Sequence, residues 1–329
     1  MPRIRLTSFN CENLMMRFAF GETNIPQLKQ KLTLVSDSQA ADLVDEAFDV
    51  LSEDDRTLTA QTLAVSKADV CLLQEVENLV TLTAFHNRYL RRWSRSGYEH
   101  RILREGNDGR GIDVAALSRL HPVRITSHAH LTFEGIGLTP PAGQSRHDPV
   151  FRRDCLRLDY EIEAAPLSIF VCHFKSMHGG RYETRTIRQT EALAVRRLIE
   201  RSFDDPATAN WLVCGDLNDF LEQDGRADSG HGLGPFVDDG FARDALMMSG
   251  LGDMDRWTHH YSGDNTYSAL DHFLLSPALA EKNVRPDMTI TRCGLPWKAE
   301  RYEGFRLPGI AWSNPKASDH CPLSLELSL

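Results

Sequence analysis

The sequence is missing four features, and each absence removes a class of protein. No apolar run approaches the ~20 residues that a helix needs to cross a bilayer, so no membrane span is expected. There is no excess of basic residues, because 37 Lys and Arg stand against 46 Asp and Glu for a formal net charge of −9. That balance argues against a protein that coats nucleic acid by bulk charge, though not against nucleic acid held in a local basic groove or through bound cations. The seven cysteines form no disulfide framework and no zinc pattern. Several of them sit inside apolar runs, where a reduced thiol behaves as a small hydrophobe. Internal repeats and low-complexity linkers are also absent, so the expectation is one domain over residues 1–329. The first strand pattern starts almost at Met1 and leaves no room for a secretory leader, which makes the cytoplasm the expected location.

What the chain does have is a set of short apolar strands that end in polar residues. Trp211 to Phe220 reads Trp-Leu-Val-Cys-Gly-Asp-Leu-Asn-Asp-Phe. On an extended segment, residues two apart point the same way, so Asp216 and Asn218 can face one cleft. A carboxylate and an amide there suit a phosphate ester, the first orienting or deprotonating a water and the second donating to a phosphoryl oxygen. Gly-Asp and Asn-Asp are equally ordinary turn chemistry, which leaves an Asx turn as the alternative. Five more strand ends carry similar residues: Asn10, Glu75, His173, Asp271, and Asp319 with His320. Acids gathered on one rim repel, so a divalent cation is their natural partner, and the oxygen-rich set favours magnesium or manganese over zinc.

At these residues the sequence resembles the endonuclease/exonuclease/phosphatase superfamily, the deoxyribonuclease I-like proteins. The matching pieces are Ser8-Phe9-Asn10, Leu73-Gln74-Glu75-Val76, His173-Phe174-Lys175-Ser176, Gly215-Asp216-Leu217-Asn218, Leu270-Asp271-His272-Phe273 and Ser318-Asp319-His320-Cys321-Pro322, in family order. The resemblance implies an α+β fold, a four-layer α/β/β/α sandwich of two packed mixed sheets flanked by helices. It also implies that Glu75 is the main metal ligand for Mg2+ or Mn2+, with Asn10 and Asp319 helping to hold the metal or its waters. Asp216 would activate the attacking water, Asn218 and His320 would bind the phosphate, Asp271 would support His320, and His173 would donate towards the ester.

Further candidates come from position. Asp113, at a loop-to-strand junction after Gly109-Arg110-Gly111, is expected to hydrogen-bond His173 and fix its tautomer. Arg153 and Lys175 are expected beside the cleft as phosphate contacts, with Arg188 and Gln189 bracing the loop that carries Lys175. His272 follows Asp271 and so points to the opposite face, as a structural residue.

The stretch between Asn10 and Glu75 is longer than the resemblance predicts, an insertion of about 15–60 expected to form a helical shoulder beside the cleft. It includes an amphipathic helix over 40–51 and an apolar group at Met15, Met16, Phe18 and Phe20. The expected activity is that of a metal-dependent phosphoesterase, foremost a phosphodiesterase or nuclease. The alternatives are a phosphohydrolase of small molecules or phospholipid head groups, and a non-catalytic binding module on the same fold.

Overall fold

The computed structural model describes residues 2–15, 53–94 and 96–329. The expected helix over 40–51 and the residues Met16, Phe18 and Phe20 lie outside the described residues. Of the expected insertion, Met15 is buried and Glu53–Val65 forms a helix.

Among the described residues the strands are, in chain order, β1 Arg3–Leu14, β2 Val70–Val76, β3 His100–Leu103, β4 Asp113–Ser118, β5 Arg124–Thr126, β6 Cys155–Ile162, β7 Ala165–His173 and β8 Trp211–Asp216. They continue with β9 Glu222–Gln223, β10 Arg226–Ala227, β11 Arg243–Asp244, β12 His259–Tyr261, β13 Thr266–Ser268, β14 Asp271–Leu275, β15 Asp287–Ile290 and β16 Leu323–Ser328. Two six-stranded sheets result, in the orders β15-β16-β1-β2-β4-β3 and β11-β14-β8-β7-β6-β5. β1 pairs parallel with β2 and β7 parallel with β8, while their outer neighbours β16 and β14 run antiparallel.

Period-two alternation explains why the sheets stack. In β2, Val70 and Leu72 join a core shared with Leu212, Cys214 and Phe273 of the other sheet, whereas Cys71 and Leu73 face the helix Glu53–Val65 and the helical segment 79–93. In β8 the same split puts Leu212 and Cys214 between the sheets, with Trp211 and Val213 against the helix Arg181–Ser202. A strand apolar on both faces must be covered on both, and the result is the expected four-layer order of helix, sheet, sheet and helix. All seven cysteines are buried and unpaired within these layers.

The topology also places the chemistry. β1 and β2 run parallel, so their carboxyl ends share an edge, and antiparallel β16 begins there. In the second sheet the carboxyl ends of β7 and β8 meet the amino end of β14, with His173 paired to Asp216 and Asp216 to Asp271.

His272 points away from this rim, as expected, and is buried between two oxygens. Nδ1 donates to Asp244 Oδ2 at 2.6 Å and Nε2 donates to Asp219 O at 2.9 Å. With both nitrogens donating, the ring is an imidazolium. Burial alone would lower its pKa, but Asp244 outweighs that and raises it to about 9. Between the ordinary value near 6.5 and this one the folded protein holds a proton that the unfolded chain has lost, so stability falls as pH rises. The expected outcome is that urea unfolding of the wild type loses about 3 kcal/mol more than that of His272→Gln between pH 6.5 and 9. Equal losses in the two proteins would count against the ion pair.

Candidate active site

Two register slips open the rim of the first sheet. β1 and β2 stay paired to Asn10 and Gln74 and resume at Leu14 and Val76, and β2 slips against β4 between Leu73 and Val76. Such bulges re-aim side chains and interrupt pairing. Glu12, Asn13 and Glu75 in the slack have φ of 47°, 65° and 63°, a conformation that costs non-glycine residues of order 1–3 kcal/mol and persists only where the surroundings impose it. Here Glu75 is held by its neighbours, since Oε2 accepts from Asn13 N at 3.0 Å and Oε1 from Asn10 Nδ2 at 3.4 Å.

Across the cleft, Asp216 is nearly fully buried and central. Oδ2 accepts from Asn10 Nδ2 at 2.9 Å and lies 3.5 Å from His173 Nε2 and 3.7 Å from His320 Nε2. Oδ1 accepts from Asn218 N at 2.9 Å. The Asx turn and the site are therefore the same structure: the turn swings Asn218, at φ 51°, so that Nδ2 donates to Phe174 O while the side chain lines the cleft. Gly215 makes the approach possible. Its φ is +131°, and a Cβ there would lie 1.9 Å from Cys172 O.

The two imidazoles sit in opposite environments. His320 Nδ1 donates to Asp271 Oδ2 at 2.8 Å while Nε2 faces Asp216. Burial works against the charged ring, but Asp271 and Asp216 overcome it and hold its pKa well above the ordinary value. His173 is pushed well below that value by burial, then by Arg153, His320 and Arg110, so it is neutral. Asp216 rises to about 6, through burial and the nearby Asp271 and against the pull of His320. Asp319 is kept well below the usual carboxylate range, its burial outweighed by His259, His320 and Lys316.

A cleft of about 650 Å³ joins Asn10, Glu75, Arg153, His173, Asp216, Asn218, Asp319 and His320. Asp271 stands behind His320, fixed by Thr258 Oγ1 donating at 2.7 Å. Two expectations are corrected. Asp113 does not hold His173: its Oδ1 accepts from Gly106 N at 2.8 Å, and His173 Nδ1 has no hydrogen-bond partner among the described residues. Asp113 begins β4 in the first sheet, opposite Val76, and belongs to the loop at Gly106. Lys175 does not line the cleft either, because its ammonium donates to Ser176 O at 2.7 Å and His178 O at 3.2 Å and so stiffens the lip. Arg188 does brace that segment, bonding Lys175 O at 3.4 Å and Asp219 Oδ2 at 2.9 Å.

Among the cleft residues that were not anticipated are Glu12, Arg110 and His259. Glu12 pairs with Lys316 Nζ at 2.7 Å and accepts from Asp319 N at 2.8 Å. Arg110 forms a two-pronged pair with Asp108, whose Oδ2 is also 2.9 Å from Arg153 Nε. His259, on β12, lies against His320 and Asp319. The first was hidden by ending β1 at Asn10, when it runs to Leu14, and the second lies in the loop before Asp113. The third is brought in by a bridge from β12 to His320 that local sequence does not announce.

The chemistry of the donors suits a hard cation. Glu12, Glu75, Asp216 and Asp319 bring four carboxylates to one cleft with the Asn10 amide close by, the oxygen set of Mg2+ or Mn2+ sites.

A sequence model of the Endonuclease/Exonuclease/phosphatase family matches residues 47–320. No curated protein matches the chain. Truncated Caenorhabditis elegans TDP2 superposes with a TM-score of 0.55 at 14% identity, over 99% of this chain and 98% of that one. A Bacteroides thetaiotaomicron mannosyl-6-phosphatase gives 0.53 at 14%, over 99% and 100%. The human Nocturnin catalytic domain gives 0.53 at 14%, over 99% and 94%. At such identities the likeness is one of fold.

Gly215→Ala tests the strand packing at the rim. The clash with Cys172 O and the strained φ together predict a loss of about 3 kcal/mol or more in urea unfolding. A neutral substitution would mean that β7 and β8 separate there without cost.

Proposed function

The chain belongs to the Endonuclease/Exonuclease/phosphatase family, and on that footing we propose that it is a metal-dependent phosphodiesterase acting by water attack on a phosphoester. The observation that carries the reading is Asp216, a buried carboxylate within 3.7 Å of two imidazoles of opposite protonation at the centre of the cleft. Pairs of titratable groups pushed apart by their surroundings are the mark of an acid–base site.

Glu75 and Asp319 would hold the cation, with Asn10 tying Glu75 to Asp216. When bound, the cation neutralises charge on the phosphoryl oxygens. Asp216 Oδ2 orients the attacking water and takes its proton. Asn218 and the His320 imidazolium stand where phosphoryl oxygens gain charge, the arrangement that lowers such barriers most. Asp271 keeps His320 Nε2 aimed at the cleft through Nδ1. Neutral His173 supplies a hydrogen bond on the other side of Asp216, and Arg153, buried and anchored to Phe174 O at 2.9 Å, presents a cationic wall.

A second reading, a small phosphoester as substrate, is favoured by two observations. The cleft has the volume of a small-molecule site, and the chain carries a net charge of −9. Double- and single-stranded DNA, RNA, bis-p-nitrophenyl phosphate, sphingomyelin, inositol phosphates and sugar phosphates, each with Mg2+, Mn2+ or chelator, separate the two readings. Hydrolysis that needs metal is expected for at least one diester. Asp216→Asn and His320→Gln should each lower kcat by about 10²–10⁴-fold in protein that circular dichroism shows to be folded. Failure to cleave any phosphoester with either metal would sink the proposal.

A further inference from the structure

Beside the oxygen donors at Glu75 the rim carries a second donor group of different chemistry. β12 lies antiparallel to the segment before β16. His259 bridges His320, His260 N donates to Asp319 O at 3.0 Å, and Cys321 N donates to Thr258 O at 2.7 Å. This pairing brings the His259 and His320 rings together, inclined at 46° with centroids 4.5 Å apart. His259 Nε2 is 3.8 Å from Asp319 Oδ2, and one donor atom from each of His259, Asp319 and His320 falls within 4.8 Å of the others. A zinc site with three protein ligands keeps its fourth position for water. Donors around a tetrahedral zinc with 2.0–2.1 Å bonds sit about 3.3 Å apart, so a small closing of the side chains completes the shell. His260 takes no part, because its Nε2 faces Asn265 Oδ1 at 2.8 Å.

We propose that His259, Asp319 and His320 form a transition-metal site, taking Zn2+ or Co2+ in preference to Mg2+, and that its occupation inhibits the hydrolysis proposed above. Two imidazoles select borderline metals over hard ones. Asp271 on Nδ1 is the outer partner that a metal-bound histidine normally has, and it leaves Nε2 as the ligating atom. Ligation takes up that nitrogen, the one His320 turns to the cleft, so His320 can no longer donate from it to a phosphoryl oxygen. The inhibition rests on the functional reading, whereas the binding does not.

The test uses the full-length protein and His259→Phe, which keeps a ring against His320 but removes the nitrogen, with His259→Ala as a second variant and circular dichroism as the check on folding. Co2+ added to the wild type should give the intense visible bands of a four-coordinate ion with nitrogen donors. Zn2+ should compete for the same site by calorimetry and inhibit the Mg2+-supported rate. Both variants should lose the bands and need at least about tenfold more Zn2+ for binding and for half-inhibition relative to their own Mg2+ rates. Co2+ bands absent from the wild type, or unchanged in folded variants, would overturn the site. Binding that depends on His259 without any inhibition would overturn the inhibitory role alone. If no substrate is ever cleaved, the spectra and the binding isotherms still decide the site.

Discussion

Asp216 cannot be buried cheaply. It sits almost out of water, paired in register with Asp271 and within reach of Glu75 through Asn10. A carboxylate in that position normally takes up a proton or finds a counter-charge. The rim answers with two imidazoles, the Asn10 amide and the Asn218 backbone N–H, from β7, the approach to β16, β1 and the turn after β8. The strained residues at Glu12, Asn13, Glu75 and Asn218 all serve this gathering. Local strain is tolerable there because the sheets beneath are covered on both faces and hold their register.

The same crowding divides the labour of two histidines that are alike in sequence. His320 touches carboxylates at both nitrogens and becomes a cation. His173 is equally buried, but Arg153, His320 and Arg110 set positive charge around it, and its Nδ1 has no partner among the described residues. The difference arises from neighbours contributed by distant segments, the loop at Arg110 and the start of β6 in one case and β14 in the other. Neither neighbour is visible from the residues flanking the histidine.

That is where reading the sequence succeeds and fails. The continuous apolar runs Val70–Leu73 and Trp211–Cys214 are local, and they announced short buried strands. Polar residues ending those strands were local as well, and parallel pairing brings such ends together, so Glu75, His173, Asp216 and His320 could be gathered without coordinates. Side-chain direction beyond the strand end is set by bulges and bridges. Asp113 was therefore assigned to the wrong partner, Lys175 was aimed into the cleft when it folds on its own loop, and His259 was passed over. Asn218 shows a third outcome, in which the competing readings of turn and site describe one arrangement.

The first half of β1 pairs with β16, from Arg3 with Ser328 to Ser8 with Leu323, so β1 waits for a strand made long after it. Until that pairing forms, Asp319 and His320 have no fixed place beside Asn10, and the rest of the rim is only half a cleft. Contacts so far apart in sequence form slowly. A nascent or partly folded chain therefore presents acids without their histidine, and completion of the site coincides with completion of the sheet. Chemistry at this rim would thus act as a built-in report that β16 has joined β1.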